Sequence, residues 1–507
     1  MRKTILSRIR VTYAGLISFS IRILSVFTGL IFTLIVTREL TQEEFGTWGL
    51  IGGLIIYVTV IHPIIEVWTT REIARGVESG KTAMVSSGIF SIFGTAGYLI
   101  LAFVLGDQID VNQEVLLFSA ILIPVMFLNY CLNAVNLGSK PQAVSYGFLS
   151  FEFTKIPMAL IFVYFLNFGL DGVILASFFS YIASIIVMTI FARKRLSVTF
   201  EKKFLKKWIK LSWLPLYRNI FPMIAASDVI IFSVVTGSVN GVAFVVSSRA
   251  ISSVVAYTQS FAEALYPKLL QGAKREYLQE NLSRLLYFAI PLFGISIVFA
   301  RPGLFLLNPI YEVAVPVVMF LSIRAFLSTI GKTLYSSVQG IDEVDMDEKS
   351  SFKEYVKSKL FLIPTIRIIQ YGAYAIILVT GLLILTNENN SQLELAVFWA
   401  IISVITEIPF TIHSIILVKK EFPLKMDFKS IAKYVCSSLV VLVPVYFLLD
   451  NFLIYDEDIF IFLPNVFLYL IGAILAYIGI TYLIDKRTKT LVKAVFNEML
   501  GKVKHDS

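Results

Sequence analysis

The chain of 507 residues is 57% hydrophobic and only 16% charged, with a mean hydropathy of +0.79. A soluble domain is nearer a quarter charged, so this much apolar surface excludes a water-soluble globule and requires contact with lipid. The formal charge of +9 is therefore weighed loop by loop, not as a nucleic-acid signature.

Met1 to Arg10 is basic and leads into a long apolar run without a short cleavable core, which predicts a retained first span. A ~30 Å hydrocarbon layer demands about 20 apolar residues per helix, and about fourteen runs meet that demand. They centre near Ser25, Ile55, Ala96, Pro124, Leu160, Ser180, Ile224, Val254, Phe293, Ala325, Ala373, Ile402, Leu442 and Ile471. The runs are continuous instead of alternating, which predicts an all-α polytopic membrane protein and not a β-barrel.

With the N-terminus inside, most of the 44 Lys and Arg fall in cytoplasmic segments, and the outer loops are acidic. Asp107, Asp110, Asp450, Asp456, Glu457 and Asp458 are on that outer side. This bias places both termini in the cytoplasm and the chain in the cell membrane. The richest inner segment, 193–210, carries Lys202, Lys203, Lys206, Lys207 and Lys210 opposite Phe200, Phe204, Leu205, Trp208 and Leu211. That pattern predicts an interfacial helix, lysines on anionic headgroups and aromatics in the acyl boundary.

Arg22 is matched by Arg218, Glu66 by Glu263 and Arg71 by Lys268 at a nearly constant offset of about 200 residues, the mark of an internal repeat. Ile156-Pro157 is matched by Ile363-Pro364 across a longer gap that holds the acidic insert from Asp342 to Glu348. The expected organisation is an N-lobe of six spans (1–192), a basic amphipathic linker (193–210), a C-lobe of six spans (211–418) and two extra spans with a basic tail (419–507). An even number of spans per repeat makes it parallel, with a pseudo-twofold axis along the membrane normal and a site between the halves.

Charges inside spans point to what that site takes. A central Arg, Lys or Asp costs roughly 2.5–3.5 kcal/mol on insertion scales, so these groups are expected to face water, partners or a ligand. Arg249, Ser253, Tyr257, Ser260 and Glu263 share one face of a helix, and Arg324, Ser328, Lys332 and Ser336 share another. Arg22, Arg218, Arg249, Arg324 and Lys332 outnumber the acids at similar depth and suit phosphate or pyrophosphate, which arginine binds bidentately. Tyr257 and the stripe Asn129, Asn133, Asn136 suit sugar hydroxyls, although Asn side chains equally tie helices together. Glu152 and Lys155 are i,i+3 neighbours able to neutralise each other. Asp228, Glu263, Glu66 and Glu152 are candidates for holding a coupling cation, Na+ or H+, or for balancing the arginines.

Cys131, Cys436, His62 and His413 are isolated in apolar runs, so no disulfide, metal or cofactor is expected, and packed or cavity-lining histidines are. Gly49 and Gly53 are spaced for close helix packing. There is no Walker A motif and no GxGxxG, which argues against ATP-driven transport.

Thr37-Arg38-Glu39-Leu40 and Glu44-Phe45-Gly46-Thr47-Trp48 follow the first span. Asp228 precedes Ile230-Ile231, and Asn240-Gly241-Val242-Ala243, Arg249-Ala250 and Ala264-Leu265-Tyr266-Pro267-Lys268 come after. These segments resemble polysaccharide flippases of the O-antigen type, in the multidrug/oligosaccharidyl-lipid/polysaccharide (MOP) exporter superfamily. Gly241-Val242-Ala243 stands where that family usually has Gly-x-Tyr. The resemblance implies two six-helix lobes around a cationic cavity, and movement of a polyprenyl-(pyro)phosphate-linked oligosaccharide from inner to outer leaflet by alternating access. Arg22 and Arg249 match cavity arginines of related lipid II flippases. Membrane lipids and glycosyltransferases of the same pathway are the implied partners, with no nucleic acid. A cation-coupled multidrug exporter of the same superfamily is the alternative. A membrane glycosyltransferase or polymerase ranks below it, because the external loops are short and the first, Thr37 to Gly46, has Glu43-Glu44 but no DxD motif, and no enzyme activity is expected.

Overall fold

The computed structural model describes residues 28–259, 275–339, 352–421 and 427–490. Arg22 and Glu263 lie outside the described residues. Among them the chain is helical throughout: α1 (28–39), α2 (Gln42–Thr59), α3 (Pro63–Ala74), α4 (Gly80–Gly106), α5 (Gln113–Ser139), α6 (Pro141–Phe165), α7 (Gly169–Leu196) and α8 (Lys202–Lys210) come first. Then follow α9 (Trp213–Thr236), α10 (Asn240–Gln259), α11 (Arg275–Val298), α12 (Ala300–Leu307), α13 (Pro309–Gln339), α14 (Lys359–Asn387), α15 (Gln392–Glu421), α16 (Phe428–Phe452) and α17 (Ile459–Ile484).

Twelve helices among the described residues are long and apolar enough to cross a bilayer, or thirteen with α2 and α3 taken as one span bent by 60°. Each matches one of the runs read from the sequence, and the first run, near Ser25, lies mostly outside the described residues. This is a multi-pass membrane protein. Lipid-facing chemistry is visible in the side chains left outside: Ile92 and Phe93 on α4, Ile376 on α14 and Leu475 on α17 are all more than half exposed.

By contacts the described chain divides into two compact units. One comprises the residues up to Val246 with Tyr371–Leu395, and the other Ser247–Gln370 with the residues from Ala396 onward.

In the first unit, the motif after α1 has a clear structural reading. Thr41 caps α2 by accepting from the Glu44 amide at 3.2 Å, while the Glu44 carboxylate accepts from the Thr41 amide at 2.9 Å. This reciprocal pair is a capping box. The second Glu44 oxygen accepts from the Leu170 amide at 3.3 Å, so one carboxylate serves the N-termini of α2 and α7. Gly46 packs so closely on the carbonyl of Val239 that any Cβ there would overlap it. A Cβ on Gly49 would meet Val242 Cγ1 and Val246 Cγ2 at 2.9 Å, in keeping with the packing reading of the glycine pair.

The basic helix α8 corrects an expectation. Trp208 is fully buried in the protein, in a cluster with Ile64, Met188 and Ala192, instead of facing acyl chains. Lys207 Nζ is 3.0 Å from the buried Glu72 carboxylate, and the Glu201 amide donates to Thr82 Oγ1 at 2.9 Å. The aromatic edge had protein to pack on, so α8 is riveted to the first unit. Lys202, Lys203, Lys206 and Lys210 remain exposed.

The second unit is built around α11, where Leu278, Leu285 and Tyr287 pack with Tyr434, Leu442, Phe462 and Tyr477 of α16 and α17. Tyr477 donates to the Tyr287 carbonyl at 2.8 Å, and Tyr287 and Thr481 share a hydrogen bond at 3.1 Å.

Candidate functional site

Side chains from α13, α14 and α15 form a charged cluster in the second unit. Arg367 of α14 is buried, and its Nη1 donates to Glu407 Oε1 on α15 at 3.3 Å and to Gln370 Oε1 at 3.1 Å. Gln370 Nε2 in turn donates to Glu407 Oε2 at 2.9 Å and to the Thr406 carbonyl at 3.1 Å. The guanidinium lies over the Phe410 ring, 3.2 Å from its centroid. Burying an ion pair requires such extra hydrogen bonds, because desolvation otherwise exceeds the attraction. Lys332 of α13 is within electrostatic reach of Arg367, Glu407 and Arg324. Lys332 is exposed, and among the described residues no carboxylate approaches within ion-pairing distance of it. Lys332 thus has two arginines and one buried acid in electrostatic reach. Beside them, Tyr335 shares a 2.5 Å hydrogen bond with His413 Nδ1.

Arg249 of α10 is half-buried, its guanidinium 5.3 Å from the ring of the buried Trp399. Tyr257 is exposed. The single stripe expected from Arg249 through Tyr257 is corrected by the backbone. From Ser253 to Gln259 the helix tightens to the 3₁₀ form. At three residues per turn, side chains four apart diverge by about 120°, so Ser253 and Tyr257 do not share a face.

In the first unit the asparagine stripe joins two helices. Asn129 Nδ2 donates to Ser184 Oγ on α7 at 2.9 Å, and Asn133 Nδ2 donates to Asn129 Oδ1 at 3.1 Å. Asn136 Nδ2 reaches the Met188 carbonyl at 3.0 Å. Glu152 and Lys155 are both buried and form an ion pair of 2.8 Å. The Thr28 hydroxyl donates to the same carboxylate, and Lys155 Nζ lies 5.1 Å from the Phe32 ring centroid. Asp228 is buried and accepts from the Tyr374 hydroxyl at 3.2 Å. Arg218 is exposed on the same helix, α9. Ten residues of helix separate the two by about 15 Å along the axis, too far for a direct pair. Glu66 sits one turn after His62, with Oε2 3.5 Å from Nδ1.

Among the described residues no group of three or more His, Cys, Asp or Glu is placed to hold a metal. Arg367 and Glu407 appear in the sequence only as charges inside spans. Their opposite signs on consecutive spans were the signal for the pair, and periodicity within one helix does not report it.

The architecture is that of an all-helical, multi-pass membrane protein. No protein-family model matches the sequence, and no curated protein does. Solved structures do. The lipid II flippase MurJ, in an inward closed conformation, is similar with a TM-score of 0.63 at 14% identity, over 92% of this chain and 98% of that one. A multidrug resistance MATE family transporter of the MOP superfamily, facing inward, gives 0.56 at 16% identity, over 80% and 98%. An outward-facing one gives 0.50 at 18%, over 82% and 95%. At these identities the likeness is one of fold alone.

Proposed function

We propose that this protein is a flippase that carries a polyprenyl-(pyro)phosphate-linked oligosaccharide from the inner to the outer leaflet by alternating access. The observation that carries the reading is Lys332 with Arg324, Arg367 and Glu407 all in electrostatic reach of it, on apolar helices. Arginine and lysine within apolar spans are costly in lipid and suit a diphosphate. Arg249, Arg218 and Arg22 are the further cationic contacts in this proposal, with Tyr257, Asn133 and Asn129 on the glycan side. Asp228, Glu66, Glu152 and Glu263 are the acids available to a coupling cation. The lobes 1–192 and 211–418, the linker 193–210, the addition 419–507 and cytoplasmic termini belong to the same reading, as do glycosyltransferase partners.

The second reading, a cation-coupled multidrug exporter, is favoured by one observation: the buried Asp228 beside Tyr374, an acid and an aromatic ring that suit a cationic drug. The experiment is to replace Arg324 and Lys332 with alanine, singly and together, and to measure surface glycan and drug susceptibility in cells with matched protein levels. Loss of surface glycan at unchanged drug susceptibility supports the flippase. Normal glycan in the double variant overturns it, and drug sensitisation supports the exporter.

A further inference from the structure

The geometry points to a subsite for one neutral sugar ring in the first unit, at the break between α2 and α3. This inference rests on the glycan-carrying reading above and names where part of the cargo is held. A cavity of about 240 Å³ opens there, lined by His62, Glu66, Tyr130 and Asn219 over a floor that includes Ile56 and Pro222. The span turns by 60° at this point. Irregular backbone at membrane depth is tolerated only where protein buries it or where it lines a wet cavity.

The polar groups of the lining supply the donors and acceptors that sugar hydroxyls use. Asn219 Nδ2 is used by the Pro215 carbonyl at 2.8 Å, which leaves its Oδ1 as an acceptor. The Tyr130 hydroxyl makes no hydrogen bond among the described residues and is both donor and acceptor. Glu66 offers carboxylate oxygens, with Oε2 steered by His62 Nδ1 at 3.5 Å. His62 is buried, and its Nε2 has no partner. A buried orphan nitrogen is costly, and what His62 contributes here is the position of Glu66. It is a positioning residue.

Size and charge narrow the ligand. Pockets for drug-sized ligands run roughly 300–1,000 Å³, so this one takes a single ring and not an oligosaccharide. The carboxylate disfavours the diphosphate of the cargo. A metal ion lacks a third ligand of the usual kind among the described residues. A neutral ring uses both wall and floor, its hydroxyls on Glu66, Tyr130 and Asn219 and its C–H face on Ile56 and Pro222.

The test is saturation-transfer NMR on the full-length protein in lipid nanodiscs with glucose, galactose, N-acetylglucosamine, N-acetylgalactosamine or rhamnose. Ring-proton transfer is expected for at least one sugar, falling about threefold or more in Glu66→Gln, Asn219→Ala and Tyr130→Phe, the loss of one hydrogen bond each. His62→Gln should weaken binding less than Glu66→Gln, and Lys203→Gln should leave it unchanged. No transfer from any sugar, equal transfer in all variants, or displacement by tetraethylammonium but not by sugar overturns the inference. The readout is binding, so sugar capture with normal export in the Arg324/Lys332 double variant would retain the subsite while the flippase reading falls.

Discussion

Arg367 Nη1 is 3.3 Å from Glu407 Oε1, and the two side chains are 5% and 1% exposed, the most deeply buried ion pair among the described residues. Breaking such a pair leaves a lone charge in an apolar surround. Glu407→Gln should therefore cost about 3–5 kcal/mol, and an apolar double replacement of both partners should recover most of it. Thermal melts in matched detergent check this. If the single variant melts with the parent, the pair has little hold on the second unit. The same pair sets how the phosphate-binding proposal is tested: Lys332 and Arg324 are better targets than Arg367, whose loss confounds binding with stability.

Trp208 and Lys207 give a separable forecast for α8. Trp208→Ala empties a fully buried site in the first unit's core and should cost about 3–5 kcal/mol. Lys207→Ala leaves the buried Glu72 without its cation and should cost about 1–3 kcal/mol. Changing the exposed Lys202 and Lys206 to glutamine should cost nothing measurable. Limited trypsin digestion reads the difference, because a loosened α8 is cut faster at its remaining lysines. Equal cutting rates in the parent and Trp208→Ala would contradict the rivet.

The all-helical, many-span fold was legible because lipid imposes a length and a composition on each span, and both are written locally. The α2–α3 break had its signal in Pro63, which opens α3 directly after His62, but the run through Ile55 is apolar on both sides and reads as one span. The candidate site was half legible. Arg324 and Lys332 were found by helical spacing on one element, whereas Arg367 and Glu407 meet across two. The Arg249 stripe misled because hydrophobic periodicity assumes 3.6 residues per turn, and α10 abandons that at Ser253. Trp208 misled for a different reason: an amphipathic pattern fixes which face is apolar, not whether protein or lipid covers it.

Gly46 and Gly52, both in α2, should respond in opposite ways to the same change. Gly46 faces the Val239 carbonyl with no room for a methyl group, and Gly52 has nothing within 4 Å. Gly46→Ala must push α2 away from the backbone before α10 and should cost about 1–3 kcal/mol or more. Gly52→Ala removes backbone freedom without a clash and should be neutral or slightly stabilising. Melting temperatures of the two variants settle it, and a Gly46→Ala protein as stable as Gly52→Ala would show that the contact is loose.

Asp427 carries a prediction about acid. It caps α16, with Oδ1 accepting from the Ser430 amide at 3.1 Å and Oδ2 from the Ser430 hydroxyl at 2.9 Å. Arg487 Nη2 lies 3.1 Å from Oδ2. The Ser430 amide first, and its hydroxyl next, hold the carboxyl below the usual carboxylate range. A carboxyl depressed in the folded state adds stability that is fully present above its unfolded pKa of about 3.9, and that is lost as pH falls through the lower folded value. Asp427→Ala should therefore cost about 0.5–2 kcal/mol at neutral pH, the worth of a helix cap. Its deficit relative to the parent should shrink as the pH is taken below about 4, where the parent's own carboxyl takes up its proton. Melts of parent and variant between neutral pH and pH 3 measure the gap directly. A gap that widens in acid would mean that Asp427 is not held ionised by its cap.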